Sequence, residues 1–257
     1  MNMKLSKLIT GNLLLALLAS ASLTAAAQTT RFDSKPGTLK VRIEGTSNIH
    51  DWQVEGKLIG GYMEVGPGFP VEPGQPATPG KVQARVEAFI PVRSMASVEK
   101  DGKPYSTKMD DIMYEKLKAQ EFPRIFYRLT ELTLKEPAKS KDAAYVFEAK
   151  GELAVAGVTN AISMPVNIML LGENRLRITG SVGVKMTDFK IEPPAPALAL
   201  GMIKTGDDVK LIFDWTVAQR KPATRSGERM PASSLCTPVA CHACSLDLRW
   251  GSGHSVQ

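Results

Sequence analysis

Apolar and polar residues alternate with a period of two along most of the chain, and that spacing predicts β-strands. Leu39, Val41 and Ile43 interleave with Lys40, Arg42 and Glu44. In a strand this sends the apolar three to one face and the charged three to the other. Gly45-Thr46-Ser47-Asn48 reads as a turn, after which Trp52, Val54 and Leu58 continue the apolar series. The longest clean alternation is Val82, Ala84, Val86, Ala88 and Ile90 against Gln83, Arg85 and Glu87. Further runs start at Ile125, Tyr127 and Leu129, at Tyr145, Phe147, Ala149 and Leu153, and at Ile162, Met164, Val166 and Ile168. Gly157-Val158-Thr159-Asn160 separates the last two as a turn. Leu176, Ile178, Val182 and Val184 follow, and Val209, Leu211, Phe213, Trp215 and Val217 close the series.

Three segments break the pattern. Gly66 to Gly80 carries Pro67, Pro70, Pro73, Pro76 and Pro79, so it reads as an exposed loop inserted between strands. Ser106 to Gln120 has apolar Met109, Ile112, Met113 and Leu117 at helical spacing. Ser106 or Thr107 can cap that helix, Asp110 and Asp111 suit its first turn, and Pro123 stops it. Glu192 to Leu200, rich in Pro and Ala, reads as a loop.

About eight antiparallel strands with one intervening helix indicate an all-β sandwich or barrel. Each strand has one dry and one wet face, as antiparallel sheets do. The reading adopted is an eight-stranded antiparallel barrel with one α-helix inserted between strands. Such a barrel is just wide enough for its side chains to fill or for one slim ligand. Several inward positions are small, namely Ala84, Ala88, Ala149 and Gly180. Patterning alone leaves two outcomes open: larger neighbours fill that space, or an apolar ligand does.

Composition adds a compartment. Lys4 and Lys7 precede the apolar stretch Leu8 to Leu18, and Ala25-Ala26-Ala27 offers a small-residue cleavage site. That is the tripartite secretory pattern, so residues 1–27 read as a signal peptide and the protein as periplasmic or secreted. The run is shorter than the roughly 20 residues a membrane span needs, and no integral span is expected elsewhere. The body, residues 28–220, has no cysteine and must be held by its core alone. The net charge of +6 is no nucleic-acid footprint, because two charges sit in the signal segment and no dense Lys/Arg cluster interleaves with aromatics.

Gly45-Thr46-Ser47-Asn48-Ile49-His50-Asp51-Trp52, the stretch Leu117 to Ile125, Gly151-Glu152-Leu153 through Gly157-Val158-Thr159, and Thr205-Gly206-Asp207-Asp208-Val209 occur in that order. Over about Phe32 to Ala218 the chain thereby resembles the YceI-like family of periplasmic or secreted lipid-binding proteins. The resemblance implies a lipocalin-like barrel with a polyisoprenoid chain, or a similar fatty-acyl chain, inside it. It implies a lining of Val41, Ile43, Trp52, Val54, Val86, Ala88, Ile90, Phe147, Leu153, Met164, Val166, Ile178, Val182, Leu211, Phe213 and Trp215. His50 is the candidate polar contact for a ligand head. The chain departs from the family pattern in its 66–80 insertion and in Lys190, where glycine often follows the pair Asp188-Phe189.

Candidate chemistry is sparse. His50 beside Asp51, with Ser47 nearby, is the only acid/base grouping that would support a rival reading as an enzyme on a lipid-like substrate. A nucleophile elbow and a phosphate loop are both missing from the sequence. His50 is the only histidine of the body, too few for a histidine metal site, and no cofactor is implied. Asp110, Asp111 and Glu115 answer the helix dipole more readily than they bind a cation. A filled barrel acting through protein partners is the third reading. The tail, residues 221–257, reads as disordered. It holds Cys236, Cys241 and Cys244 with His242 between the last two. A metal site and an intermolecular disulfide, hence a homodimer, stay open there.

Overall fold

The computed structural model describes residues 29–35, 40–195 and 203–220. The signal segment, Leu39 and the cysteine-bearing tail lie outside the described residues. The strands are β1 (Thr30–Ser34), β2 (Lys40–Ser47), β3 (Trp52–Gly56), β4 (Gly60–Val65), β5 (Gly80–Val82), β6 (Ala84–Pro91) and β7 (Met95–Val98). After helix α1 (Thr107–Lys116) come β8 (Arg124–Glu136), β9 (Tyr145–Val155), β10 (Val158–Leu171), β11 (Arg175–Lys185) and β12 (Thr205–Gln219).

Every pairing is antiparallel, in the order β1-β4-β6-β8-β9-β10-β11-β12, and β12 returns to β1 through Phe32↔Gln219 and Ser34↔Val217. That ring is a closed eight-stranded barrel, the second of the two architectures that the alternation allows. Charged residues pair across strands on its outside, for example Arg177 with Asp214 at 2.6 Å and Arg128 with Glu152 at 2.6 Å. Inside lies one continuous apolar core.

Toward the other end the ring opens. The long β12 continues beside β2, β2 pairs with β3, and β3 with β7. Three staves are thus broken in two: β1 with β2, β4 with β3, and β6 with β7. The breaks have local causes. Pro91 has no N–H with which to extend a ladder, and a 3₁₀ turn, Val92–Ser94, follows it. The expected continuation through Leu58 is also lost, since β3 ends at Gly56, Leu58 is exposed and Ile59 is buried instead.

Beyond its pairing with β3, β7 is an edge, and α1 covers it. Asp110 Oδ1 accepts the Ser97 N–H at 2.6 Å, Ser97 Oγ donates to the Ser106 carbonyl at 3.0 Å, and the Tyr114 hydroxyl donates to the Met95 carbonyl at 2.7 Å. Side chains of the helix segment thereby occupy polar groups that an open edge would offer to another strand. Ser106 caps the helix, its Oγ accepting from the Met109 N–H at 3.4 Å. The helix is shorter than its apolar spacing suggested: after Lys116 the chain passes into turns, with Lys118 at φ 50°.

Two loop readings change. The 66–80 insertion is exposed only in part. Phe69 is 3% exposed and stacks on Phe147 with ring centroids 5.6 Å apart, while the Tyr145 hydroxyl donates to the Gln75 carbonyl at 2.7 Å. The insertion therefore closes the β8–β9 end of the barrel. The β9–β10 turn is Ala156-Gly157, both left-handed at φ 49° and 83°, as a two-residue hairpin requires. Val158 to Asn160 already belong to β10.

Candidate functional site

The interior is hollow toward the end that α1 covers. An outer cavity of about 460 Å³ is lined by Ile43, Trp52 and Val54 on one side and by Met109, Ile112 and Met113 of α1 on another. A smaller inner cavity of about 90 Å³ lies among Val41, Val86, Met164, Ile178 and Trp215. Ile125, Leu153 and Leu211 line both and so form the neck between them. The inward residues of β9 read as a depth scale: Val155 in the outer chamber, Leu153 at the neck, Ala149 in the inner one, and Phe147 against the Phe69 plug.

The expected lining residues distribute along that axis. Ile43, Trp52 and Val54 line the outer chamber, and Leu153 and Leu211 the neck. Val41, Val86, Ala88, Ile90, Met164, Val166, Ile178, Phe213 and Trp215 line the inner chamber. Phe147 sits below the hollow, and Val182 packs against the core beside Leu211 without lining either chamber.

Glycines keep this interior from being plugged by its own rings. Gly180 stands opposite Phe213, and a Cβ there would lie 2.7 Å from Phe213 Cζ. Tyr127 lies over Gly151 in the same way, at 2.6 Å, and Trp52 over Gly45. Each ring lies flat against a bare stretch of wall and not across the lumen. Trp52 is further fixed by its indole N–H, which donates to the Thr46 carbonyl at 3.1 Å.

Polar groups gather at the mouth. His50 Nε2 lies 3.2 Å from the Tyr105 hydroxyl, and the two rings meet edge to face at 5.8 Å. Both residues line the outer cavity and both are exposed, so His50 stands at the rim of the hollow. The grouping is not a catalytic relay. His50 Nδ1 faces the backbone carbonyl of Asp51 at 2.8 Å, not its carboxylate, and Ser47 Oγ donates to the backbone carbonyl of His50 at 2.7 Å, not to the ring. Among the described residues no group of three or more His, Cys, Asp or Glu is placed to hold a metal. In the inner chamber Tyr127 buries its hydroxyl without a hydrogen-bond partner among the described residues, and that burial pushes its pKa up.

Sequence reasoning identified the helix but did not assign its apolar face to the site. Met109, Ile112 and Met113 complete the outer wall, and none of the α1 residues is buried. Helical spacing was the available signal. Phe189 and Ile191 also line the cavity from the turn after β11. No periodicity marks them; Phe189 is delivered by the 3₁₀ turn Thr187–Phe189, tied down by Asp207, whose carboxylate accepts from the Thr187 N–H at 2.9 Å and hydroxyl at 2.6 Å.

A closed antiparallel barrel, hollow at one end and roofed there by a single helix, defines a lipocalin-like barrel. Residues 23–217 match the YceI-like domain, and the chain belongs to that family. Among solved structures it is similar to BcnA of Burkholderia cenocepacia, with 14% identity, TM-score 0.50, and 69% of this chain and 95% of that one covered. It is also similar to a polyisoprenoid binding domain from Saccharophagus degradans implicated in plant cell wall breakdown, with 11% identity, TM-score 0.52, and 76% and 99% covered. No curated protein matches the chain.

Proposed function

We propose that this protein is an exported carrier or store for one long apolar lipid, a polyisoprenoid or fatty-acyl chain, and that it is not an enzyme. The observation that carries the reading is the hollow of about 460 Å³ whose roof helix buries none of its own residues. An amphipathic helix is ordinarily stabilised by burying its apolar face, and here Met109 and Met113 are only half-buried against the core while they and Ile112 border a hollow of ligand size. A methylene is comparable to a water molecule, whose share of liquid volume is about 30 Å³, so the outer chamber takes roughly fifteen chain carbons. At about 0.8 kcal/mol per buried methylene the gross gain is about 12 kcal/mol, enough to offset the cost of association without a sharp polar motif. The polyisoprenoid binding domain with the same fold supports this assignment, and the backbone partners of His50 and Ser47 speak against the enzyme reading.

The test is to purify the protein from the periplasm or medium, extract it with organic solvent and identify the extract by mass spectrometry. A long-chain lipid in near-stoichiometric amount is expected, together with a mature N-terminus at Gln28. Solvent extracts free of lipid from several hosts would overturn the carrier role.

A further inference from the structure

We propose that the mouth of the barrel selects ligands whose head group is an anion, a carboxylate or phosphate on an apolar tail. This inference rests on the lipid-binding reading above and adds the chemistry of the head. Among the described residues, the charged side chains that line the outer cavity are Lys108, Lys116 and Lys185, with neither Asp nor Glu in its lining. The polar remainder, including His50, Tyr105 and Ser106, consists of groups able to donate a hydrogen bond.

The nearby carboxylates are engaged elsewhere or exposed to solvent. Asp110 accepts the Ser97 N–H, Asp207 holds Thr187, and Asp111 and Glu115 are exposed on α1. Lys185 shares Asp208 at 3.8 Å. Among the described residues neither Lys108 nor Lys116 has a carboxylate within ion-pair distance. The two lysines bracket Ile112 at four-residue spacing, about 12 Å apart along the axis. Their stems can follow the apolar rim while the ammonium groups stay at the water line. The helix dipole accounts for Lys116, which sits in the last turn, but not for Lys108. In the first turn a cation opposes the dipole, so the dipole gives no reason for Lys108 at this rim position, whereas an anionic head above the cavity would give one.

The experiment compares parinaric acid with its methyl ester by fluorescence titration of the delipidated full chain, alongside competition by farnesyl phosphate against farnesol. Exposed charge contacts of this kind lead us to expect about a fivefold to tenfold preference for the anion at low salt, shrinking as salt is raised. In the double variant Lys108→Gln, Lys116→Gln the preference falls toward unity while the ester binds as before, and Lys108→Glu, Lys116→Glu reverses it. A preference confined to one pair of compounds names the head group. Equal binding of acid and ester and of phosphate and alcohol, unchanged by either variant, overturns this inference while leaving the lipid site standing. Failure of every compound to bind overturns both.

Discussion

Two residues test the local physics most sharply. The Tyr127 hydroxyl is buried without a partner among the described residues, a state that costs about 1–3 kcal/mol. Tyr127→Phe should therefore raise the stability of the lipid-free protein by about 1 kcal/mol, or about 2–4 °C in Tm for a domain of this size. A fall in Tm would mean that the hydroxyl has a partner. Lys190 occupies the left-handed region at φ 57°, the position at which the family pattern often has glycine. An L-residue there is strained by about 1–2 kcal/mol, partly offset by the greater unfolded-state freedom of glycine, so Lys190→Gly should stabilise by about 0.5–1 kcal/mol. Urea denaturation checks this; a loss of stability would show that the Lys190 side chain contributes contacts that outweigh the strain. At this scale the sequence was legible wherever a residue obeyed the period of two, as with Val41, Val54 and Trp215. It was opaque for Phe189, because a turn has no period to betray which way its side chains point.

Among the elements, α1 is the one whose stability and function separate. Ile112 lines the cavity but is not packed against the core. Ile112→Asp should leave the Tm of the lipid-free protein within about a degree. It should weaken binding of an apolar chain by about tenfold to a hundredfold, the worth of one well-buried aliphatic side chain. Isothermal titration and a melt of the same sample decide it, and unaltered affinity would remove α1 from the binding wall. The helix itself was legible from Met109, Ile112, Met113 and Leu117. Its role was not, because amphipathic spacing says that a face is covered, not whether protein or ligand covers it. The Pro-rich insertion failed in the opposite sense: its composition correctly forbids a strand, yet it conceals Phe69, one apolar residue that plugs the barrel against Phe147. The three broken staves were likewise hidden, since a ladder break such as the one after Pro91 leaves the flanking alternation intact.

For the whole molecule, closure of the ring is the decisive event, and its seam is electrostatic as well as backbone-paired. Asp33 of β1 accepts from Arg220 at 2.6 Å and from Arg31 at 3.0 Å, and Arg31 reaches on to Glu64 of β4 at 2.9 Å. The Arg220 guanidinium foremost, then Arg31, holds the Asp33 carboxyl below its ordinary value. A depressed folded-state pKa contributes stability that is present above the unfolded value, near 3.9, and lost as pH falls through the folded one. Asp33→Asn should thus lower stability at neutral pH and flatten its decline in acid, and a pH series of melts in which the two proteins keep parallel curves would contradict this. The more basic question is what fills the barrel. Alternation along β8 to β12 was enough to predict strands with one dry face, but neither the closure of the ring nor a void, because volume depends on how Phe213 and Tyr127 lie over Gly180 and Gly151. Native mass spectrometry of the exported protein beside its Leu153→Trp variant addresses this directly, since an indole at the neck should block the chamber. The account predicts a one-to-one lipid adduct on the parent protein and the bare mass for the variant, with both folded; an adduct equally present on the two, or on neither under any lipid supply, would contradict it.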